Sequence, residues 1–213
     1  MKFHSSSAAL HKIKDRIILK WPPGVESESF HPERNELTVQ FVGHPWSEKG
    51  PSDVMGLRLI LQVWSVLASH TNNNECYTCG AMIHSSDGNE PPQMVFSLTA
   101  KTTPPDFFLI CFTDKRRRFK IVQAPRHIVE NLAVVLRDAF PNQVAESGPQ
   151  SPDSYTIEMK STGFDSIANL LQAEILHFLS NNAFYLSAGF PLPQQSLFGF
   201  SGRKEVWVFS TLS

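Results

Sequence analysis

Cys76 and Cys79 form a C-x2-C pair within "NECYTCGAMIH" (residues 74–84), with Gly80 and His84 close behind. Two thiolates and an imidazole at this spacing are zinc ligands, and a structural zinc site must be closed by a fourth. In a zinc knuckle the fourth ligand would come about five residues after the histidine. That position is Asn89, which is not a zinc ligand, and His70 is the substitute on the other side. The competing reading is a strand. Residues three apart on a regular strand point to opposite faces, so these thiols share a metal only if Gly80 makes a tight turn. The expectation is therefore two strand cysteines with no metal and no other cofactor. A zinc-binding or enzymatic protein using Cys76, Cys79 and His84 stands as an alternative. Cys111, inside the apolar run "FFLICFTD", reads as core.

The second chemical feature is "KRRRFK" (115–120), where Lys115, Arg116, Arg117 and Arg118 are consecutive and Lys120 follows. Such a field contacts phosphates or serves as a nuclear-import signal. The same charges at strand ends also guard a sheet edge against aggregation. Phe107, Phe108 and Phe112 lie in an apolar run rather than alternating with the cations, so they do not form a base-stacking platform.

A third cluster, His44, Trp46 and Glu48, sits in "GHPWSEKGPSD" (43–53), a loop where an exposed Trp would anchor a partner. The alternative is that Trp46 folds back over the core, with Pro45 setting the turn. Glu174 and His177 have the E-x-x-H spacing of di-iron bundles, but that chemistry needs carboxylates from further helices. The pair reads instead as a solvated helix face. G-x-S-x-G, H-E-x-x-H, P-loop and G-x-G-x-x-G patterns do not occur in the sequence.

The elements that position these residues repeat. A helical pattern on Leu10, Ile13 and Ile17 ends at "KWPPGV" (20–25), and one on Val129, Leu132 and Leu136 ends at "AFPNQV" (139–144). Alternating strands follow, "ELTVQFV" (36–42) and "SYTIEMK" (154–160), in which Leu37, Val39 and Phe41 match Tyr155, Ile157 and Met159. Long helices come next, with Asp53 and Asp165 suited to N-caps. On the first, Arg58, Gln62, Ser65 and Ser69 make a narrow polar stripe, answered by Glu174, His177 and Asn181 on the second. Two short strands close each copy, 76–83 and 94–99 against 184–190 and 205–211. "ESGPQSPDS" (146–154) reads as a polar loop.

Residues 107–113 and 118–123 read as a hairpin around the basic turn. By register it belongs to the second copy. The expected fold is α+β, with two tandem homologous units, each a small, mostly antiparallel sheet with two helices packed on it. Residues 1–103 form the first unit, which lacks its first strand, and residues 104–213 the second, with the order β-β-α-β-α-β-β. An unpaired edge in the first unit would be available to a partner.

Composition sets the outer bounds. The 213 residues are 41% hydrophobic and 18% charged, enough for a substantial core. The formal net charge of −1 supplies no whole-molecule field for nucleic acid or a membrane surface. Three cysteines make no disulfide framework, and the N-terminus lacks a secretory h-region. A cytoplasmic or nuclear location with no membrane partner is expected. The function expected is a non-catalytic interaction module or adaptor, binding another protein or a second copy of the chain. A nucleic-acid-associated nuclear protein using the basic turn is the alternative.

Overall fold

The computed structural model describes residues 2–4, 7–18, 21–43, 51–69, 76–83, 93–99, 105–113, 116–192 and 204–211. Among these residues the fold is α+β, with four α-helices and antiparallel strand pairing. The chain divides into two compact units, the first within residues 1–80 and 96–105, the second within 81–95 and 106–212.

In the first unit, β1 (Lys2–His4) is followed by α1 (Ser7–Arg16), β2 (Val25–His31), β3 (Glu36–Phe41) and α2 (Pro51–Ala68). β4 (Cys76–Ile83) and β5 (Gln93–Thr99) come next in the chain and straddle the division, with residues 76–80 and 96–99 falling in the first unit. The strands make two separate sheets, one ordered β1-β3-β2 and the other the pair β4-β5. Alternation along β3 turns Leu37, Val39 and Phe41 into the core, where they meet Leu10, Ile13 and Ile17 of α1 and Leu59, Val63 and Leu67 of α2. Phe3 from β1, Tyr77 from β4 and Phe96 from β5 pack on this same core. Phe96 meets Trp64 edge to face, with ring centroids 5.1 Å apart.

In the second unit, β6 (Phe107–Thr113), β7 (Arg118–Val122), α3 (Arg126–Ala139), β8 (Val144–Ser151) and β9 (Ser154–Met159) lead to α4 (Phe164–Asn181). β10 (Phe184–Leu192) and β11 (Lys204–Thr211) complete it. Here one continuous sheet runs β10-β11-β6-β7-β9-β8. Its central strand, β6, pairs antiparallel with β11 on one side and β7 on the other. Phe108, Ile110 and Phe112 face the core shared with α3 and α4, and the alternate residues Leu109 and Cys111 are also buried. A strand covered on both faces is apolar at successive positions rather than at every second one. Phe108 stacks on Phe209 at 5.2 Å, and Phe112 meets Trp207 edge to face at 4.8 Å, joining β6 to β11 through side chains as well as backbone.

Three expectations need correction. The β-β-α-β-α-β-β order omits a strand: β8 occupies Val144–Ser151, so the second unit reads β-β-α-β-β-α-β-β. Residues 146–151, expected as loop, belong to this edge strand, which is largely exposed and carries Pro149. An edge strand buries little and has one unpaired rim, so its composition resembles a loop and tolerates proline. β2, "VESESFH", was hidden for the same reason. The helices also start earlier than Asp53 and Asp165, at Pro51 and Phe164. Asp165 therefore lies inside the first turn, where its charge favours the helix N-terminus without capping it. Finally, the polar stripe is not equally narrow on both long helices. On α4 Leu170 is 61% exposed, and the solvent face extends beyond Glu174, His177 and Asn181.

Candidate functional site

The two cysteines of the C-x2-C pair both lie on β4. Cys76 is buried and Cys79 half-buried, and neither is in a disulfide. The Cys76 thiol donates to the Thr99 carbonyl oxygen on β5, with a separation of 3.3 Å. That bond uses the thiol as a weak donor inside a hairpin, which is structural chemistry. Among the described residues no group of three or more His, Cys, Asp or Glu side chains is placed to hold a metal ion. His84, the third member of the sequence pattern, lies outside the described residues, as do His44, Trp46 and Glu48 of the loop cluster.

The basic turn joins β6 to β7, and Lys115 is outside the described residues. Arg116 takes a left-handed backbone conformation (φ 71°), so the turn reverses the chain tightly. Its guanidinium lies 2.7 Å from the Glu205 carboxylate on β11 and donates to the Gln172 side chain on α4 at 3.2 Å. Arg118 stands directly opposite Glu158 in the β7–β9 register and donates to its carboxylate through two nitrogens, one of them at 2.8 Å. Arg117 and Lys120 also engage other groups of the protein. Two of the cations are thus matched by carboxylates supplied from β9 and β11, far away in sequence. A phosphate at this turn would compete with ion pairs already made, which weakens the field seen by an incoming polyanion.

Glu174 and His177 remain on the α4 surface, where the His177 ring is 3.1 Å from the Asn181 amide. This is a helix-face contact between residues four apart.

The feature with the clearest capacity for recognition is backbone rather than side chain. β1 pairs with β3 through Lys2–Thr38, Phe3–Leu37 and His4–Glu36. Among the described residues no strand lies against the other edge of β1. Among the described residues β4 and β5 form a sheet of two strands. Edges of this kind present rows of N–H and C=O groups that an extended segment can pair with. The sequence pattern did not indicate that β1-β3-β2 and β4-β5 would form separate sheets.

A protein-family model, described only as a domain, matches residues 1–79. No curated protein matches the chain. Among solved structures, the chain is similar to a conserved kinetoplastid-specific protein from Trypanosoma cruzi, with 16% identity over 52% of this chain and 100% of that one, and a TM-score of 0.39. No helix among the described residues is long and apolar enough to cross a membrane.

Proposed function

We propose that the protein is a non-catalytic interaction module built from two copies of one α+β unit, and that its first unit receives a protein partner. The observation that carries this reading is the interrupted sheet of the first unit, β1-β3-β2 and β4-β5, set beside the continuous β10-β11-β6-β7-β9-β8 of the second.

Several matched details support duplication. In each unit the strand before the first helix pairs with the second strand of the following hairpin, giving β1-β3-β2 and β7-β9-β8. Val25 stands opposite Phe41 and Val144 opposite Met159, and each pairing is followed at once by a one-residue slip in register. An irregularity at the same point of two hairpins is a specific feature, because a bulge re-aims the strand and must suit its neighbours. The turn that feeds these hairpins also repeats. Gly24 N–H donates to the Trp21 carbonyl and Gln143 N–H to the Phe140 carbonyl, each at 3.0 Å. Val42 N–H donates back to Gly24, and Lys160 N–H back to Gln143. The long helices bury Leu59, Val63 and Leu67 in one unit and Leu171, Ile175 and Leu179 in the other, with the same four-residue spacing.

Among the described residues no strand lies against the second edge of β1, and an open sheet edge is a recognised mode of peptide capture. Pairing of Arg116 and Arg118 within the protein weighs against nucleic acid as the first ligand. The direct test is purification of the tagged 213-residue chain from its native cells at about 0.5 M salt, where exposed charge pairs are screened. A protein partner in stoichiometric amount is the expected result. A strict monomer that retains none overturns the reading.

A further inference from the structure

We propose that Ser151, at the turn of the β8–β9 hairpin, is a phosphorylation site for a proline-directed serine kinase, and that the phosphate releases this end of the edge strand from its sheet. The proposal goes beyond the interaction-module reading and does not depend on it.

Recognition starts from "GPQSPD" (148–153), in which proline stands immediately after Ser151 and also two residues before it. Proline has no N–H and holds the residue before it in an extended conformation. Ser151-Pro152 therefore suits a kinase cleft that binds extended chain and asks for no amide after the serine. It is the only Ser-Pro pair in the sequence, and Thr103-Pro104 is the only Thr-Pro pair. Pro149, Gln150 and Pro152 are exposed, and Ser151 is half-buried.

Transfer to Ser151 needs the segment to leave the sheet, and its geometry makes that easy. β8 is an edge strand, paired with β9 alone. The register slips between Pro149 and Ser151, which leaves Gln150 out of the ladder. Ser151 stands opposite Ser154, so the loop is only Pro152 and Asp153, and neither has a positive φ. Two-residue loops that match the twist of their strands need positive φ at one or both positions. Such a strand end opens locally at far less cost than unfolding the sheet.

The Ser151 hydroxyl helps to hold the turn closed. It donates to the Asp153 carboxylate at 3.1 Å. With its one proton committed there, it accepts from the Ser154 hydroxyl at 2.6 Å, and Ser154 is buried. The Asp153 carbonyl accepts from the Gln123 N–H at 2.8 Å, tying the turn to the residue after β7. In the transfer Ser151 Oγ bonds to the γ-phosphorus of ATP and the bond to the β-phosphate oxygen breaks. ADP leaves, and the hydroxyl proton passes to the kinase's catalytic base. The phosphoserine has no hydroxyl proton to give Asp153, and it sets close to two negative charges beside that carboxylate. An attraction becomes a repulsion, and the turn opens.

The test incubates the intact chain with ATP and a proline-directed serine kinase and maps the sites by peptide mass spectrometry. Phosphate on Ser151 of the folded chain is expected, lost in Ser151→Ala and strongly reduced in Pro152→Ala, which keeps the hydroxyl. After phosphorylation the amides of Gln123, Gln150, Ser151 and Asp153 are expected to exchange hydrogen about tenfold faster or more, with those of β6 unchanged. Asp153→Asn phosphorylated on the same serine should show a smaller acceleration relative to its own unmodified form, because the repelling charge is gone. Phosphate confined to Thr103 overturns the proposal, as does a folded chain that refuses phosphate on Ser151 when the denatured chain accepts it. A phosphorylated chain whose turn amides keep their native rates, or an acceleration undiminished in Asp153→Asn, overturns it equally.

Discussion

The Lys2 ammonium lies 2.9 Å from the Glu36 carboxylate and ties β1 to β3; the lysine side chain is 54% exposed and that of Glu36 only 8%. The Thr38 hydroxyl donates to the same carboxylate oxygen at 3.3 Å. The shortest strand of the first unit is thus held by a cross-strand charge pair whose anion is nearly out of water. Lys14 and Glu28 approach more closely, at 2.6 Å, but both remain in contact with solvent. Removing a cation from a carboxylate shielded from water costs more than removing one from a solvated pair. Lys2→Met is expected to destabilise the first unit by about 1–3 kcal/mol, and Lys14→Met by no more than about 1 kcal/mol. Urea titration of both variants makes the comparison, and equal losses would contradict it.

The basic turn yields a prediction of opposite sign. Because Arg116 and Arg118 are held by Glu205 and Glu158, neutralising the acids should expose more positive field than the native protein shows. The Glu158→Gln, Glu205→Gln double variant is expected to elute from heparin at roughly 0.1 M higher salt than the native chain, as released cations find sulfate groups. Replacing Arg116, Arg117 and Arg118 by Ala should shift native elution little. A large loss of retention in that triple variant would revive the nucleic-acid reading.

The thiols should differ in reactivity. Cys76 and Cys111 are buried and Cys79 is half-buried. Reagent access controls the rate where no neighbouring group activates a thiol. Native protein treated with a chromogenic disulfide is expected to modify Cys79 first, with Cys76 and Cys111 slower by about tenfold or more until the chain is unfolded. Protein purified without chelator should carry less than about a tenth of an equivalent of zinc. Stoichiometric zinc would restore Cys76, Cys79 and His84 as a metal site.

The aromatic centre of the second unit should be intolerant of truncation. Phe209 is fully buried, stacked on Phe108 and 6.3 Å from Trp207. Phe209→Ala is expected to cost about 3–5 kcal/mol, the loss of transfer energy plus a cavity. Leu170→Ala, on the open side of α4, should fall within about 0.5 kcal/mol of the native protein. Thermal or denaturant unfolding separates the two.

Much of the fold was legible where one face of an element is buried and the other is wet. Leu37, Val39 and Phe41 announce β3 by alternation, and Leu132 and Leu136 announce α3 by helical spacing, because solvent imposes the period on the residues. The signal disappears at both extremes of burial. β8 and β2 are edge strands with little to bury, so "ESGPQS" looks like a loop until its pairing with β9 is seen. The boundaries of α2 and α4 were misplaced by two residues and one residue, since an Asp is favoured within the first turn of a helix as well as at its cap. As for the candidate sites, the sequence displayed the cations of the basic turn but not their partners. Glu158 and Glu205 are brought to Arg118 and Arg116 only by cross-strand register and sheet order, which composition does not encode locally.

The sequence by itself determined the α+β class and the alternation that buries the inner strands, because these follow from periodicity within a few residues of chain. Only the tertiary structure decided which strands lie side by side. Sheet order joins segments separated by about a hundred residues, such as Phe108 and Phe209, and it is settled by which apolar faces can be covered together. Among the described residues β1-β3-β2 and β4-β5 form separate sheets, whereas β10-β11-β6-β7-β9-β8 form a single continuous one.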